Sequence, residues 1–187
     1  MNQKIWLLII SDILILSSFG LIAPILAIFI KDNLVGGSLV TAALATTIFL
    51  IVKSSVQLPL SKYIDKDYHK TKLLVAGTFL IVTVPFIYLF SKSIYMIFFA
   101  QTVYGLGAAM AYPTWFSLFT IYMDKKHRGF EYTIYTTCVG IGTAIAAILG
   151  AKVADLFGFN LLFVFVGIVA FLGFSLLILL DRLEMRK

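Results

Sequence analysis

The sequence is poor in charged residues and nearly free of cysteine. Only 13% of its 187 residues are Asp, Glu, Lys or Arg, whereas 61% are hydrophobic. A water-soluble domain of this length could not bury so much apolar surface, so the composition excludes an ordinary soluble fold and favours lipid as the solvent. The single cysteine, Cys138, excludes an internal disulfide and any cysteine-based metal site.

Sequence patterns of common enzymes are also missing. The chain has no Walker A run, no Gly-x-Ser-x-Gly and no His-Glu-x-x-His. Its two histidines, His69 and His127, lie among lysines, and nothing nearby indicates metal ligation. The net charge of +6 comes from short clusters between apolar runs rather than from a basic patch. We therefore expect no enzymatic activity, no cofactor, no metal and no nucleic-acid partner.

Long apolar runs are what the chain has in abundance. A transmembrane helix needs about 20 mostly apolar residues. Six runs qualify, at roughly 5–30, 38–60, 73–91, 94–122, 130–156 and 160–180. The first run is too long for a cleavable signal peptide. We predict an all-α membrane protein with a single six-helix transmembrane domain over residues 1–187, in which consecutive spans are antiparallel neighbours.

The placement of lysine and arginine predicts the orientation of these spans. One side of the membrane receives eleven cations, namely Lys4, Lys62, Lys66, Lys70, Lys72, Lys125, Lys126, Arg128, Arg182, Arg186 and Lys187. The opposite side receives only Lys31, Lys92 and Lys152. Because cytoplasmic segments carry the excess of positive charge, both termini are expected in the cytoplasm of a multi-pass plasma-membrane protein.

The two halves of the chain share a repeated pattern. Residues 61–65 and 151–155 both read small-Lys-x-aliphatic-Asp, 90 residues apart, and Pro24 and Pro113 are 89 residues apart. Two units of three spans must enter the membrane from opposite sides, which predicts a 3+3 inverted repeat. Chance similarity between apolar segments is the alternative.

The segment after the second span resembles a known loop. Residues 61–70 are similar to the major facilitator superfamily signature Gly-x-x-x-Asp-Arg/Lys-x-Gly-Arg-Arg/Lys. Asp65, Lys66 and Lys70 match it, while Ser61 and Tyr68 replace the two glycines and His69 replaces the arginine between Tyr68 and Lys70. Further similarity lies at Gly20 to Pro24 in span one, Gly105 to Pro113 in span four and Arg128-Gly129 before span five.

This resemblance covers essentially the whole chain and corresponds to the N-terminal six-helix half of a family transporter. It implies secondary active transport of a small solute. It also implies that the Asp65 loop, with Lys66 and Lys70, latches the two halves of the transporter, with Arg128 as a partner. The alternative is that this loop only anchors the chain through its positive charge.

Two charged residues fall inside predicted spans. Asp12 in span one and Lys53 in span two each lie roughly 10–12 Å deep at the 1.5 Å rise of a helix. A lone charge near the middle of a span costs about 2.5–3.5 kcal/mol, so this pair calls for mutual pairing or a wet cavity. Asp12 is a candidate proton carrier, since some drug/proton antiporters of the family have an acidic residue at a similar level. A purely structural ion pair is the alternative.

Other polar and small residues have two possible roles. Gln57 shares a helical face with Lys53. Gln101, Tyr104 and Tyr112 lie near one face of span four, where the family lines its central cavity; packing is the alternative. The candidates for close helix packing are Gly142, Ala146 and Gly150, which recur every four residues and loosely resemble the family's antiporter motif without its proline.

A six-span chain supplies only one of the two halves that alternating access requires. We therefore predict a parallel homodimer in which the Asp65 loop of each copy meets span five of its neighbour, with a second half-size protein as the variant. The function that follows is secondary transport of a small solute, in the form of proton-coupled efflux. A non-transporting subunit or degenerate half that assembles with another transporter is the alternative.

Overall fold

A computed structural model describes residues 3–64 and 70–185 as a bundle of α-helices. The helices are α1 (Gln3–Gly20), α2 (Leu26–Asn33), α3 (Leu39–Ile64), α4 (Lys70–Leu89), α5 (Ile94–Tyr122) and α6 (Arg128–Met185). The described residues form no β-strand, so the predicted all-α architecture is confirmed. Five helices, all except α2, are long and apolar enough to cross a membrane.

The last helix is two spans joined at a glycine. At 58 residues, α6 would be about 87 Å long if straight, far more than a bilayer needs. Gly158 interrupts it with φ 81° and ψ 168°, a backbone conformation that only glycine adopts readily. The residues before and after Gly158 form two limbs, each long enough to cross the hydrocarbon, at 128–157 and 159–185.

The first apolar run differs from its predicted form because it is broken in the middle. The run at 5–30 was expected as one helix, but a turn over residues 21–25 separates α1 from α2. Within this turn the amides of Leu21 and Ile22 bond carbonyls three residues back, at 3.2 and 3.1 Å. Pro24 lies in the turn and has no amide hydrogen to continue the α-helical pattern.

Small residues allow the helices of the bundle to approach closely. A Cβ at Gly77 would lie 2.8 Å from the carbonyl oxygen of Gly107, and one at Gly107 would lie 2.7 Å from that of Gly77. This pair therefore brings α4 and α5 into backbone contact. On the other side of the bundle, a Cβ at Gly173 would lie 2.7 Å from the carbonyl oxygen of Ser11, where α6 packs on α1.

Both ends of the described chain lie at the same end of the bundle. Lys4 Nζ, near the start of α1, is 3.1 Å from Glu184 Oε1, near the end of α6. At the opposite end, the connections before α3 and α5 are joined by hydrogen bonds from the amide of Val35 to the carbonyl of Lys92 at 3.2 Å and from the amide of Ile94 back to Val35 at 3.3 Å. A chain that crosses the membrane an even number of times has both ends on one side, as this arrangement does.

Candidate functional site: two cavities of opposite charge

A cavity of about 310 Å³ lies between α1, α5 and the first limb of α6. It is lined by Asp12, Leu16, Tyr112, Trp115, Phe116, Tyr132 and Tyr135. One acidic side chain therefore faces five aromatic rings. Phe116 and Tyr132 are 56% and 46% exposed, so the cavity is open on their side.

Hydrogen bonds and ring stacking hold this aromatic wall in place. The Tyr135 hydroxyl donates to Oδ2 of Asp12 at 2.5 Å. The Trp115 ring packs on that of Tyr135, with centroids 4.5 Å apart, and its Nε1 donates to the carbonyl of Leu8 at 3.3 Å. The carboxylate and the rings around it are thus positioned by three different helices.

A second cavity, of about 490 Å³, lies between α3 and α5. Its lining residues are Lys53, Gln57, Tyr112, Pro113, Phe116, Ser117 and Thr120. Lys53 and Gln57 are one helical turn apart on α3, so their side chains share a face. The Lys53 ammonium lies 4.5 Å from the centroid of the Tyr112 ring, within cation–π range.

The two cavities are neighbours, because Tyr112 and Phe116 line both. These aromatic rings of α5 stand between Asp12 and Lys53. Within residues 3–64 and 70–185, Asp12 accepts a hydrogen bond from Tyr135, and Lys53 has no carboxylate within 4.0 Å. The direct Asp12–Lys53 ion pair allowed by their similar depths is therefore not formed, since equal depth along a helix does not fix which way a side chain faces.

The predicted cavity residues divide into two groups. Gln57 lines the basic cavity and Tyr112 lines both. Gln101 lines neither of the two: it is 4% exposed, and its Nε2 donates to the Tyr88 hydroxyl at 3.1 Å. Its interaction joins α5 to α4 inside the apolar core, so the structure places Gln101 in helix packing.

Tyr104 also lies outside both cavities. Its ring is packed between Phe19 of α1 and Phe49 of α3, at centroid distances of 4.9 and 4.5 Å. Three helices therefore meet at this ring. The packing alternative for Tyr104 matches this arrangement better than cavity lining does.

The predicted latch falls largely outside the described residues. Asp65 and Lys66 lie between α3 and α4, in the part of the chain that the structure leaves undescribed. Lys70 begins α4, and its ammonium donates to the carbonyl of Ile64 at the end of α3. Arg128 is the first residue of α6. The latch therefore remains a prediction.

A turn stabilised by two carboxylates leads into α6. The Asp124 carboxylate accepts a hydrogen bond from the backbone amide of Lys126 at 2.9 Å and lies 3.0 Å from Nδ1 of His127. The amide of Lys126, and secondly His127, lower the pKa of Asp124 below its ordinary value. Buried Glu131 accepts the amide of Asp124 at 3.0 Å. This turn fixes where the first limb of α6 begins.

The small-residue stripe of α6 faces the first helix. A Cβ added at Gly142 would lie 2.5 Å from Oγ of Ser17, and Ala146 lies near Gly20. At Gly150 an added Cβ would overlap the backbone of Leu21. The stripe thus lets the first limb of α6 pack closely on α1 and on the turn that follows it.

A polar cluster near the chain ends could not be found from the sequence. Glu184 accepts hydrogen bonds from Lys4, from Thr71 and from the Tyr122 hydroxyl, so it joins α1, α4, α5 and α6. These residues are far apart in the chain and form no motif. Their only shared signal is a position at a helix end on the same side of the membrane.

Comparisons with known proteins agree with this architecture. A family model described as Major Facilitator Superfamily matches residues 8–187. An uncharacterized MFS-type transporter of Methanocaldococcus jannaschii is 23% identical over 173 residues, which are 92% of this chain and 44% of the relative. The staphylopine export protein of Staphylococcus aureus is 26% identical over 132 residues, or 68% of this chain and 33% of that protein.

The similarity extends to a solved structure. The crystal structure of the POT family transporter PepTSo aligns with a TM-score of 0.81 at 15% identity, over 96% of this chain and 37% of that one. At such low identity the alignment shows the fold alone. The chain spans less than half the length of each of these proteins.

Proposed function

The chain belongs to the major facilitator superfamily, and from this membership we propose that it carries a small solute across the plasma membrane by secondary active transport. The observation that carries the proposal is the pair of charged cavities inside an apolar bundle. Asp12 lies about 14 Å from the start of α1 and Lys53 about 16 Å from the end of α3, near the level at which such transporters bind solute. Charged side chains at that depth are costly on a lipid-facing helix, so their presence favours a functional role.

The proposal includes a second six-helix unit, because the cavities are open on one side. The six-helix domain supplies one half of the transport pathway, and a parallel homodimer supplies both halves. A covering partner or a water-filled pathway at these faces is supported by exposed polar residues on α3 and on the first limb of α6, among them Ser54, Ser55 and Thr137, since lipid tails offer no hydrogen bonds. A different half-size protein is the variant.

The bundle itself contains support for the 3+3 inverted repeat. Gly20 in the first span packs on Thr143 and Ala146 of the fifth, and Gly105 in the fourth span packs on Val52 of the second. An inverted repeat exchanges spans one and four and spans two and five, so it relates these two contacts. An even number of spans, with the positive charges on one side, supports a cytoplasmic location for both termini.

Proton coupling is assigned to Asp12. Its carboxylate lines an open cavity and is bonded by one tyrosine hydroxyl, so protons and solute have access to it. The competing function is a non-transporting subunit, which would be expected to bury Asp12 and Lys53 as a fixed ion pair. The open arrangement favours transport.

Uptake into proteoliposomes tests the proposal. The purified protein is reconstituted, and a panel of small solutes is offered with and without a pH gradient. At least one solute is expected to accumulate only with the gradient, and Asp12→Asn is expected to abolish that dependence. Asp155→Asn, which neutralises an exposed carboxylate away from both cavities, is the matched control. Undiminished coupling in Asp12→Asn contradicts the proton-carrier role, and no uptake of any solute contradicts transport.

A further inference from the structure

The acidic cavity has the chemistry of an ammonium site. Asp12 supplies a negative charge, and the rings of Tyr112, Trp115 and Tyr135 supply the electron-rich faces that attract organic cations. Among the residues that the structure describes, Asp12 forms no ion pair with a Lys or Arg side chain. The charge of this carboxylate is therefore left for a ligand to neutralise.

The basic cavity has complementary chemistry. The Lys53 ammonium contacts an aromatic ring but no described carboxylate. Beside it, Gln57 and Ser117 offer an amide and a hydroxyl donor, while the Thr120 hydroxyl donates to the carbonyl of Ser117 at 2.8 Å. An unpaired ammonium at this depth is costly, and an anionic group held by Lys53 and these donors would remove that cost.

We propose that the adjacent cavities bind one zwitterionic solute, with its ammonium group against Asp12 and its carboxylate against Lys53. This inference rests on the proposed transport function and names the solute class for the same site. Because the rings of Tyr112 and Phe116 stand between the cavities, the two charges of the solute are separated by a flexible chain rather than attached to one carbon. The cavity volumes of about 310 and 490 Å³ fall in the ordinary range for small-molecule sites.

Binding can be measured without transport because Trp115 lines the acidic cavity. The chain has two tryptophans, and replacing the exposed one by Trp6→Phe leaves Trp115 as the only tryptophan reporter. The full-length protein in lipid nanodiscs is titrated with a series of ω-amino acids of increasing chain length. Each is compared with its N-acetyl derivative, which lacks the cation, and with its carboxamide, which lacks the anion.

At least one ω-amino acid is expected to change the Trp115 fluorescence saturably and to bind about tenfold to hundredfold more tightly than either derivative, as loss of a charged hydrogen bond implies. Asp12→Asn is expected to remove the preference over the N-acetyl derivative. Lys53→Gln is expected to remove the preference over the carboxamide. Asp12→Glu and Lys53→Arg keep the charges, and their retained preferences control for misfolding.

The inference is overturned if no ω-amino acid binds, or if carboxamides bind as tightly as the zwitterions and Lys53→Gln has no effect. Failure of the transport function looks different. Zwitterion binding with no uptake in proteoliposomes would contradict transport and leave the solute class standing. Uptake of singly charged solutes that is insensitive to Lys53→Gln would do the reverse.

Discussion

Three polar side chains inside the bundle interact with residues of other helices. Tyr135 donates a hydrogen bond to Asp12, and Gln101 donates one to Tyr88. The ammonium of Lys53 lies over the ring of Tyr112. Where such a pair is buried, as with Gln101 and Tyr88, no water is present to replace a lost partner. Single substitutions at these positions therefore act by leaving a specific donor or acceptor without its partner.

The sharpest case for stability is Glu184, whose two oxygens accept hydrogen bonds from Lys4, Thr71 and Tyr122. Glu184→Gln removes the charge and turns one acceptor into a donor that faces another donor. We expect it to lower the free energy of unfolding by about 1–3 kcal/mol, measured by denaturation in detergent micelles.

Asp32→Asn provides the comparison for this substitution. The Asp32–Lys31 pair is 3.9 Å apart and both side chains are 54% exposed, so the change should alter stability little. Equal effects of Glu184→Gln and Asp32→Asn would show that the Glu184 cluster adds nothing to stability.

At the scale of the helices, α6 depends on a single residue to form two spans. Gly158 has φ 81° and ψ 168°, and a Cβ added there would meet no other atom within 4 Å. Its requirement for glycine is therefore one of backbone conformation rather than of space. The break lets the chain reverse direction and pack its second limb on α1 and α4.

We predict that Gly158→Ala destabilises the protein by about 1–3 kcal/mol, the usual range for a strained backbone conformation. Thermal unfolding followed by size-exclusion chromatography measures it. Gly140→Ala is the matched control, since Gly140 is helical and has open space around its Cβ position. If both variants unfold at the same temperature, position 158 does not require the backbone freedom of glycine.

Helix contact at the small-residue stripe gives a second prediction at this scale. Gly150→Ala places a methyl group against the backbone of Leu21, so the turn that follows α1 and the first limb of α6 must move apart. We expect the free energy of unfolding to fall by about 1–3 kcal/mol, as it does when extra atoms are inserted at other closely packed positions. The melting temperature of purified Gly150→Ala is compared with that of Gly140→Ala, which lies on the same limb, and a neutral result for Gly150→Ala would contradict close packing at this position.

At the scale of the whole molecule, α3 is the least covered of the apolar helices. Of the 18 most apolar consecutive residues of α3, only 11% are buried, against 39–44% in the other four helices. Lipid can cover its apolar residues, but the exposed hydroxyls of Ser54 and Ser55 are better matched by a polar pathway or by another protein. In the proposed dimer, this face of α3 is the one that the second copy covers.

The homodimer predicts a specific crosslink between copies. Ser54 on α3 and Cys138 on α6 are each ten residues from a helix end on the same side of the membrane, or about 15 Å deep. In the proposed dimer α3 of one copy faces the first limb of α6 of the other. Ser54→Cys is therefore expected to give a dimer band after oxidation in native membranes.

The native cysteine supplies the control for this crosslink. Adding Cys138→Ser to Ser54→Cys should remove the band, because Cys138 is the only other thiol. A disulfide within one copy gives no dimer band. Persistence of the band without Cys138 would place the two α3 helices, rather than α3 and α6, at the interface, and no band in either variant would contradict the homodimer.

The sequence by itself determined which segments form apolar helices and which charges lie among them. Apolar runs of sufficient length fold into helices in lipid because the backbone must satisfy its hydrogen bonds within each segment, which is a local requirement. The loop similarity around Asp65 also led to the family. The break between α1 and α2 was missed, although Pro24 was visible, because a proline alone does not decide between a kink and a full break.

The tertiary structure alone decided the partners of the polar side chains. Asp12 faces Tyr135 and an aromatic cavity, Lys53 faces a separate one, Gln101 turns into the core, and Glu184 joins four helices. These outcomes depend on the rotation of each helix about its axis and on which helices are neighbours. Both are set by packing between segments that are distant in the chain, where hydropathy and spacing carry little information.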